Sequence, residues 1–110
     1  MEECLFCKII KKEIPSEKVY ENDIAFAIKD INPKADLHIL ILPKKHIDSL
    51  SHLGAKDAEM AGNLLLVAKE IANSNNLPGY KITINTGRQG GQLIDHLHLH
   101  LLGGKVQETP

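Results

Sequence analysis

The chain lacks an excess of positive charge, a long apolar run and a cysteine-rich framework. Its 110 residues carry 13 Lys and Arg against 14 Asp and Glu, so no basic field is available to hold a nucleic acid backbone. No apolar run approaches the roughly 18 residues of a membrane-spanning helix, and the N-terminal Met1-Glu2-Glu3 is acidic where a signal peptide needs positive charge. The composition therefore argues against nucleic acid and membrane as partners and predicts a cytoplasmic protein.

Repeats, low-complexity tracts and linkers are also missing, so the pattern predicts a single domain over residues 1–110. Cysteine is scarce, and Cys4 with Cys7 would close too short a loop to staple a domain of this size. In a reducing compartment we expect these two side chains to be thiols or metal ligands. Histidine, in contrast, is abundant, with six among the 110 residues.

Hydrophobic periodicity predicts one short helix, one long helix and five strands. In the long helix, Met60, Leu64, Val67 and Ile71 recur at i, i+4, i+7 and i+11, which is one face packed on a sheet. The predicted elements are a helix near 4–12, strands at 18–20, 24–28 and 37–42, a helix at about 55–73, and strands at 80–85 and about 93–102. Short hairpins and one long helix indicate an α+β domain with a largely antiparallel sheet.

The last predicted strand alternates strictly between histidine and leucine. From His96 to Leu101 a period of two sends three imidazoles to one face and three leucines to the other, against the long helix. Neighbouring imidazoles then stand about 6.6 Å apart at their roots, close enough for all three to surround one small charged group. A solvated polar face with coincidental histidines is the plain alternative. Imidazoles buried without a function would be costly, because each ring nitrogen needs a partner.

Two chemistries stay open for the histidine face. Imidazole has an unperturbed pKa of about 6.5, so it can attack an electrophile, move a proton or bind a metal near neutral pH. A catalytic metal on this face would normally recruit carboxylates as well. The alternation directs the only adjacent carboxylate, Asp95, toward the leucine side. The residues therefore favour a histidine nucleophile, with an open catalytic metal as the alternative.

The segment from His96 to Leu102 resembles the histidine triad (HIT) signature, His-φ-His-φ-His-φ-φ with φ hydrophobic, in the small nucleotide-binding branch of that family. The resemblance covers nearly the whole chain. It includes Phe6 with Ile9, Asp30-Ile31-Asn32-Pro33, Leu42-Pro43-Lys44-Lys45-His46-Ile47, Asn85 and Gly91-Gln92. It implies a HIT-like α+β fold with a five-stranded mainly antiparallel sheet, a short N-terminal helix and one long helix. It also implies a homodimer that joins two such sheets into one of ten strands.

The resemblance further implies a nucleotidyl hydrolase or transferase. Its substrates would be purine nucleotide derivatives substituted at the α-phosphate, such as nucleoside phosphoramidates, and it would form a nucleotidyl-histidine intermediate. His98 matches the nucleophile, and His100 matches the residue that contacts the phosphate and helps to protonate the departing group. Besides these two, the implied nucleotide-binding residues are Leu5, Phe6, Ile9, Ile28, Asp30, Ile31, Asn85, Gly91 and Gln92. The alternative is a purine nucleotide-binding or protein-interaction module with little turnover.

Nucleophilic attack sets a requirement on His98 that follows from imidazole chemistry. The neutral ring must expose one nitrogen to phosphorus, and the N–H on the other nitrogen must be held, for which a backbone carbonyl is suited. Charge on the phosphoryl oxygens needs hydrogen-bond donors in place beforehand. The candidates are the side chains of His100 and Gln92 and the backbone N–H groups near Gly91.

The Cys4-x-x-Cys7 spacing is that of a zinc half-site, but no second such pair exists, so histidines would have to complete it. In HIT proteins with this cysteine pair the implied set is Cys4, Cys7, His46 and His96. Four ligands make a structural Zn²⁺ site, which leaves His98 free for attack. Ordinary thiols, with His46 bonded only to His96, are the alternative. No organic cofactor is expected.

Three features depart from better-known members of the family. Leu93 stands where many members carry a small hydroxyl residue that donates to the phosphate, and losing such a donor costs on the order of 10²-fold in rate. Ile28 stands where an aromatic residue often flanks the base. The ending at 105–110 lacks the longer aromatic tail that helps to choose the leaving group in some relatives. The two remaining histidines, His38 and His52, are interpreted as structural or solvent-facing.

Overall fold

The computed structural model describes residues 4–104, which form an α+β domain around one antiparallel sheet. The elements are α1 (Leu5–Ile10), β1 (Lys18–Glu21), β2 (Ala25–Lys29), β3 (Leu37–Pro43), α2 (Ala58–Ser74), β4 (Tyr80–Thr83) and β5 (Leu99–Gly103). The five strands lie in the order β1-β2-β3-β5-β4, and every neighbouring pair is antiparallel. The predicted fold class is confirmed. Residues 105–110, with the predicted absence of an aromatic tail, lie outside the described residues.

An N-cap side chain and a left-handed residue set the two ends of the short helix α1. Cys4 is the N-cap, and its sulfur accepts a hydrogen bond from the backbone N–H of Cys7. The helix ends at Ile10, and Lys12 follows with a left-handed φ of 66°. The predicted helix near 4–12 was therefore too long at its end, because a left-handed residue stops the helix before Pro15 is reached.

The long helix α2 begins three residues later than predicted, because residues 55–57 form a single 3₁₀ turn ahead of it. There the carboxylate of Asp57 accepts the backbone N–H of Gly54 at 2.9 Å. The predicted apolar face is confirmed, since Leu64, Val67 and Ile71 are all buried. Within residues 4–104, neither helix is both long and apolar enough to cross a membrane.

The sheet separates two apolar clusters. On one face α2 packs on residues that include Ile39 and Ile41 of β3 and Leu99 and Leu101 of β5. On the other face α1 covers a smaller cluster of Phe6, Ile9, Phe26, Ile28, Leu40 and Leu42. Because side chains alternate along a strand, β5 turns His100 to the α1 face when its leucines face α2. The functional side chains are thereby placed on the α1 side of the sheet.

The histidine strand is shorter than predicted. β5 begins at Leu99, and the preceding residues bend past the end of β3, where the N–H of Leu97 donates to the carbonyl of Ile47 at 2.7 Å. The three leucines still face α2 despite this bend, since Leu97, Leu99 and Leu101 are all buried in the cluster on that side of the sheet. The orientation predicted for Asp95 was wrong: the residue is exposed and pairs with Arg88 at 2.9 Å, because strand alternation does not extend back through the bend.

Candidate active site

A cavity of about 750 Å³ opens on the α1 side of the sheet. His98 and His100 line it, together with residues of α1, of β2 and of the loop after β4. All of the predicted nucleotide-binding residues except one line this cavity, namely Leu5, Phe6, Ile9, Ile28, Asp30, Ile31, Asn85, Gly91, His98 and His100. The volume lies in the range of pockets that bury a drug-sized ligand.

Gln92 is the exception, and its predicted contact with the nucleotide is corrected by the geometry. The side chain is buried, with 2% exposure, and its amide donates to the carbonyls of Asp48 at 2.7 Å and Ile94 at 2.9 Å. Its oxygen accepts the N–H of Gly87 at 2.9 Å. Since an amide carries two hydrogens, none is left to donate to a phosphate. Gln92 instead anchors the loop from which Gly91 lines the cavity.

His98 has one defined tautomer. Its Nδ1 lies 2.7 Å from the carbonyl oxygen of His96, and because a carbonyl can only accept, this nitrogen carries the hydrogen. The lone pair is then on Nε2 of a ring that lines the cavity. Burial lowers the pKa of His98 below its usual 6.5, which keeps the ring neutral at pH 7. The ring of Phe6 packs edge-to-face on it, with centroids 5.0 Å apart.

His100 has the opposite tautomer, which a chain of hydrogen bonds sets. The N–H of Lys34 donates to Nδ1 of His38 at 3.0 Å, so neutral His38 carries its hydrogen on Nε2. That Nε2 lies 2.9 Å from Nδ1 of His100, which therefore accepts and leaves the hydrogen of His100 on its own Nε2. Burial, with smaller contributions from neighbouring histidines, lowers the pKa of His100 to about 4. His100 is therefore neutral and a hydrogen-bond donor at pH 7.

Nε2 of His100 is buried and has no hydrogen-bond partner among the described residues. An unsatisfied buried donor costs about 1–3 kcal/mol, and such groups are uncommon in folded proteins. Because His100 lines the cavity, an acceptor atom of a bound ligand would satisfy it. The site thus sets a lone pair on His98 beside an N–H on His100, with ring centroids 5.0 Å apart.

The four residues predicted as metal ligands converge at the N-terminus of α1. The ligand atoms of Cys4, Cys7, His46 and His96 all lie within 4.8 Å of one another. Nδ1 of His96 lies 3.4 Å from the sulfur of Cys4, and Nδ1 of His46 lies 3.3 Å from the sulfur of Cys7. Two sulfurs and two imidazole nitrogens are a donor set typical of tetrahedral Zn²⁺.

The far side of each imidazole is held by an oxygen, which fits a metal site. Nε2 of His96 lies 2.9 Å from the carbonyl oxygen of Pro43, and Nε2 of His46 lies 2.7 Å from a carboxylate oxygen of Asp48. Acceptors at these nitrogens keep the hydrogens on Nε2, so both Nδ1 lone pairs face the sulfurs. This is the arrangement that orients histidine ligands in metal centres.

A second group of possible ligands, Asp30, His38 and His100, is also compact, with its ligand atoms within 4.8 Å of one another. Here the hydrogen bonds argue against a metal. The Lys34 N–H holds the hydrogen of His38 on Nε2, the nitrogen that would have to ligate. That hydrogen has Nδ1 of His100, at 2.9 Å, as its nearer acceptor, and the carboxylate of Asp30 lies farther from the same nitrogen, at 3.4 Å. The group therefore forms a hydrogen-bonded network rather than a metal site.

Comparisons with known proteins agree with this geometry. A family model described as scavenger mRNA decapping enzyme C-term binding matches residues 3–109. A solved structure of a HIT family hydrolase from Legionella pneumophila Philadelphia 1 is 43% identical, with a TM-score of 0.95 over 98% of each chain. The chain belongs to the histidine triad (HIT) family. Its HIT relatives include Protein HitA of Neisseria gonorrhoeae, 47% identical over 107 residues that cover 96% of this chain and all of HitA.

A second HIT relative carries an activity in its name. The purine nucleoside phosphoramidase of Escherichia coli K12 is 42% identical over 106 residues, which cover 94% of this chain and 89% of that enzyme. A histidine triad protein of Clostridium difficile, solved at 0.95 Å, has a TM-score of 0.95 and 41% identity over 100% of this chain and 97% of its own. The HIT fold therefore accounts for the described residues 4–104.

One residue of this HIT site was missed by the sequence analysis. His38 was interpreted as structural or solvent-facing, yet it lines the cavity and sets the tautomer of His100. A signal was present, because His38 interrupts an otherwise apolar strand in which a buried polar group needs a partner. The pairing of β3 with β5 supplies that partner. His52, in contrast, is exposed, and its Nδ1 lies 2.8 Å from the hydroxyl oxygen of Ser49.

Proposed function

We propose that this HIT protein is a nucleotidyl hydrolase or transferase that acts on the α-phosphate of purine nucleotide derivatives, with nucleoside phosphoramidates as the substrate class. The observation that carries the proposal is the pair of opposite tautomers, a free lone pair on His98 beside a free N–H on His100. A relative at 42% identity is named a purine nucleoside phosphoramidase, which supports the same substrate class.

The cavity suits a nucleoside monophosphate unit. Phe6 and Ile9 of α1, with Ile28 of β2, offer an apolar slot for the purine base. The carboxylate of Asp30 accepts one backbone N–H, from Asn32 at 2.7 Å, and keeps lone pairs for the ribose hydroxyls. A nucleotide held at these two points would place its α-phosphorus over His98 and His100.

In the proposed first step, the Nε2 lone pair of His98 attacks the α-phosphorus, the Nε2–P bond forms and the bond to the leaving amine breaks. The Nε2–H of His100 donates a hydrogen bond to the departing nitrogen, which takes its proton from solvent and leaves as the amine. The N–H of His38 holds that hydrogen on Nε2 of His100 by donating to Nδ1. Water then attacks phosphorus, the Nε2–P bond breaks, and the proton that the water loses returns to solvent. One water is consumed in each turnover, and both starting tautomers are restored.

We also propose Zn²⁺ as the ion held by Cys4, Cys7, His46 and His96. With four protein ligands the ion would tie α1 to the segment before β5 and have no open position for water. A cytoplasmic location, which stays a prediction, would keep both cysteines reduced.

A homodimer joined along β4 is the proposed assembly. The two edges of the sheet differ, because β1 has a bulge and an ion pair between Lys18 and Glu21, features that protect an edge from pairing. β4 has a regular register with β5, and its first residue, Tyr80, is 41% exposed. Pairing of two β4 edges would give one sheet of ten strands. Gel filtration that yields a 12.2 kDa species would contradict this assembly.

The catalytic proposal is tested with adenosine 5′-phosphoramidate. We expect His98→Ala to lose at least about 10³-fold in turnover and to retain nucleotide affinity, as removal of a nucleophile does. His52→Ala is the matched control, because this histidine is exposed and does not line the cavity. Wild type quenched during turnover should carry a nucleotidyl adduct by intact mass, which His98→Ala should lack. Equal rates for wild type and His98→Ala would favour the alternative, a binding module with little turnover.

A further inference from the structure

One loop carries both the proposed ribose contact and the hydrogen bond that orients the His38 ring. This loop, residues 30–34, lies between β2 and β3, and Asp30 and Lys34 at its two ends line the cavity. The N–H of Asp30 donates to the carbonyl of His38 at 2.9 Å. The N–H of Lys34 donates to Nδ1 of the same residue at 3.0 Å. Both ends of the 30–34 loop are therefore bonded to His38.

The 30–34 loop is also held by contacts of its own. Oδ1 of Asp30 accepts the N–H of Asn32 at 2.7 Å, and Nζ of Lys34 donates to the carbonyl of Asn32 at 3.1 Å. Pro33, whose ring fixes its φ, stands between these two residues. These constraints define where the carboxylate of Asp30 lies relative to the His38 ring.

The hydrogen on Nε2 of His38 has two acceptors of different strength nearby. Nδ1 of His100 lies 2.9 Å from this nitrogen, and Oδ2 of Asp30 lies 3.4 Å from it. The nearer acceptor is a neutral imidazole nitrogen. The farther one is a carboxylate, and hydrogen bonds to ionised acceptors are about twice as strong as those between neutral groups. Whether the hydrogen stays with His100 therefore depends on the position of the Asp30 carboxylate.

A ligand in the cavity can reach this carboxylate. The Asp30 side chain is 18% exposed and lines the cavity. A ribose hydroxyl that donates to Oδ2 would engage that oxygen with the sugar and leave the His38 hydrogen to His100. Without the hydroxyls, the carboxylate competes for that hydrogen. Nδ1 of His100 then loses its donor, and the hydrogen of His100 is no longer held on Nε2.

Asp30 acts on the same two rings through its charge. Burial lowers the pKa of His38 and the pKa of His100, and the negative charge of Asp30 acts in the opposite direction on both. Hydrogen-bond distances and charge thus link the Asp30 carboxylate to the His38–His100 pair.

We infer that the ribose hydroxyls of the substrate contribute to the chemical step, because they hold the Asp30 carboxylate away from His38 and so keep the hydrogen of His100 on Nε2. Asp30 is then a positioning residue for His100 as well as the proposed ribose contact. The inference rests on the proposed function. It adds a preference for ribonucleotide over 2′,3′-dideoxynucleotide derivatives that is expressed in the rate of P–N cleavage and not only in affinity.

Adenosine 5′-phosphoramidate and its 2′,3′-dideoxy analogue test the inference in single turnovers at saturating protein, where differences in affinity no longer count. For wild type and for the control His52→Ala we expect the ribose compound to be cleaved about tenfold faster, the size of effect expected of an orienting partner. Asp30→Asn keeps an oxygen for the N–H of Asn32 and replaces the competing oxygen with an amide nitrogen. In this variant, and in His38→Phe, which lacks the shared hydrogen, the ratio should fall to within about twofold.

Ring-nitrogen NMR gives a readout that does not depend on turnover. With adenosine 5′-monophosphate bound to wild type, we expect the hydrogen of His100 on Nε2. With 2′,3′-dideoxyadenosine 5′-monophosphate bound, a population with this hydrogen on Nδ1 should appear.

Equal cleavage rates for the two compounds in wild type overturn the inference and leave the proposed function standing. A ratio that stays near ten in Asp30→Asn does the same, and this variant decides the outcome if His38→Phe does not fold. An identical His100 tautomer with both monophosphates also overturns the inference. A wild type that cleaves neither phosphoramidate overturns the proposed function and the inference with it.

Discussion

The carbonyl oxygen of His96 accepts the Nδ1–H of His98 at 2.7 Å. The same residue turns its Nδ1 toward the sulfur of Cys4, 3.4 Å away. Phe6, which lies between the two cysteines in sequence, packs edge-to-face on both histidines, with centroids 5.9 Å from His96 and 5.0 Å from His98. The candidate metal centre and the candidate nucleophile are therefore linked in two ways. The backbone carbonyl of His96 bonds to His98, and the ring of Phe6 packs on both of these histidines.

Removal of the metal should weaken catalysis without abolishing it. Without the proposed ion, His96 and α1 would be linked less firmly, and so would the carbonyl that fixes the tautomer of His98. We expect a chelator, or Cys7→Ser, to lower kcat about tenfold and to lower the melting temperature, because metal binding is coupled to folding. Metal content by mass spectrometry and ring-nitrogen NMR of His98 provide the readouts.

An open catalytic metal gives a different result in the same experiment. Activity would then vanish with chelator and return with Zn²⁺ even when both cysteines are replaced. Unchanged kcat and melting temperature in protein shown to be metal-free would contradict the structural role.

His38 should act on catalysis through His100. In His38→Phe the shape is largely kept, but the Nε2–H that sets the His100 tautomer is lost. We expect kcat to fall by about 10- to 100-fold with KM within a few-fold, the size of effect seen when an orienting partner is removed. His38→Gln, which retains an N–H donor, should recover part of the rate. Ring-nitrogen NMR should show the hydrogen of His100 moving from Nε2 in the phenylalanine variant, and an unmoved tautomer with full activity would refute this role.

Acid should destabilise the fold through His100. Burial lowers the pKa of His100 to about 4, whereas the unfolded chain titrates near 6.5. Between these values the unfolded state binds more protons, so the free energy of unfolding falls as pH falls from about 6.5 toward 4 and is unaffected by His100 above that window. Urea unfolding of wild type and His100→Asn at pH 7.5 and 5.0 measures the difference, and the variant should lose less stability between the two. Parallel losses in both proteins would show that His100 does not contribute.

The sequence carried the features that depend on local pattern. The leucines lie toward α2 as alternation predicted, and the resemblance supplied most residues of the cavity. Of the three histidines expected to surround one group, His98 and His100 line the cavity, whereas His96 turns to the two cysteines. What the sequence missed depends on contacts across the fold. His38 gained its role from pairing of β3 with β5, and the bend before Leu99 follows from a hydrogen bond to Ile47. Gln92 has its amide occupied by Asp48, which is 44 residues away in the chain. Periodicity along one segment contains no information about such partners.

Gly104 and Gly62 should differ in how well they tolerate substitution by alanine, and this difference gives a last prediction. Gly104 has a left-handed φ of 84°, and a Cβ there would meet the side chain of Asp36, so Gly104→Ala combines backbone strain with a clash. We expect it to lower the free energy of unfolding by about 1–3 kcal/mol. Gly62 lies inside α2 with nothing within 4 Å of a Cβ, and Gly62→Ala should raise stability by about 0.5–1 kcal/mol through helix propensity. Urea unfolding measures both, and equal shifts in the same direction would contradict the backbone argument, because only one of the two sites needs a conformation that alanine disfavours.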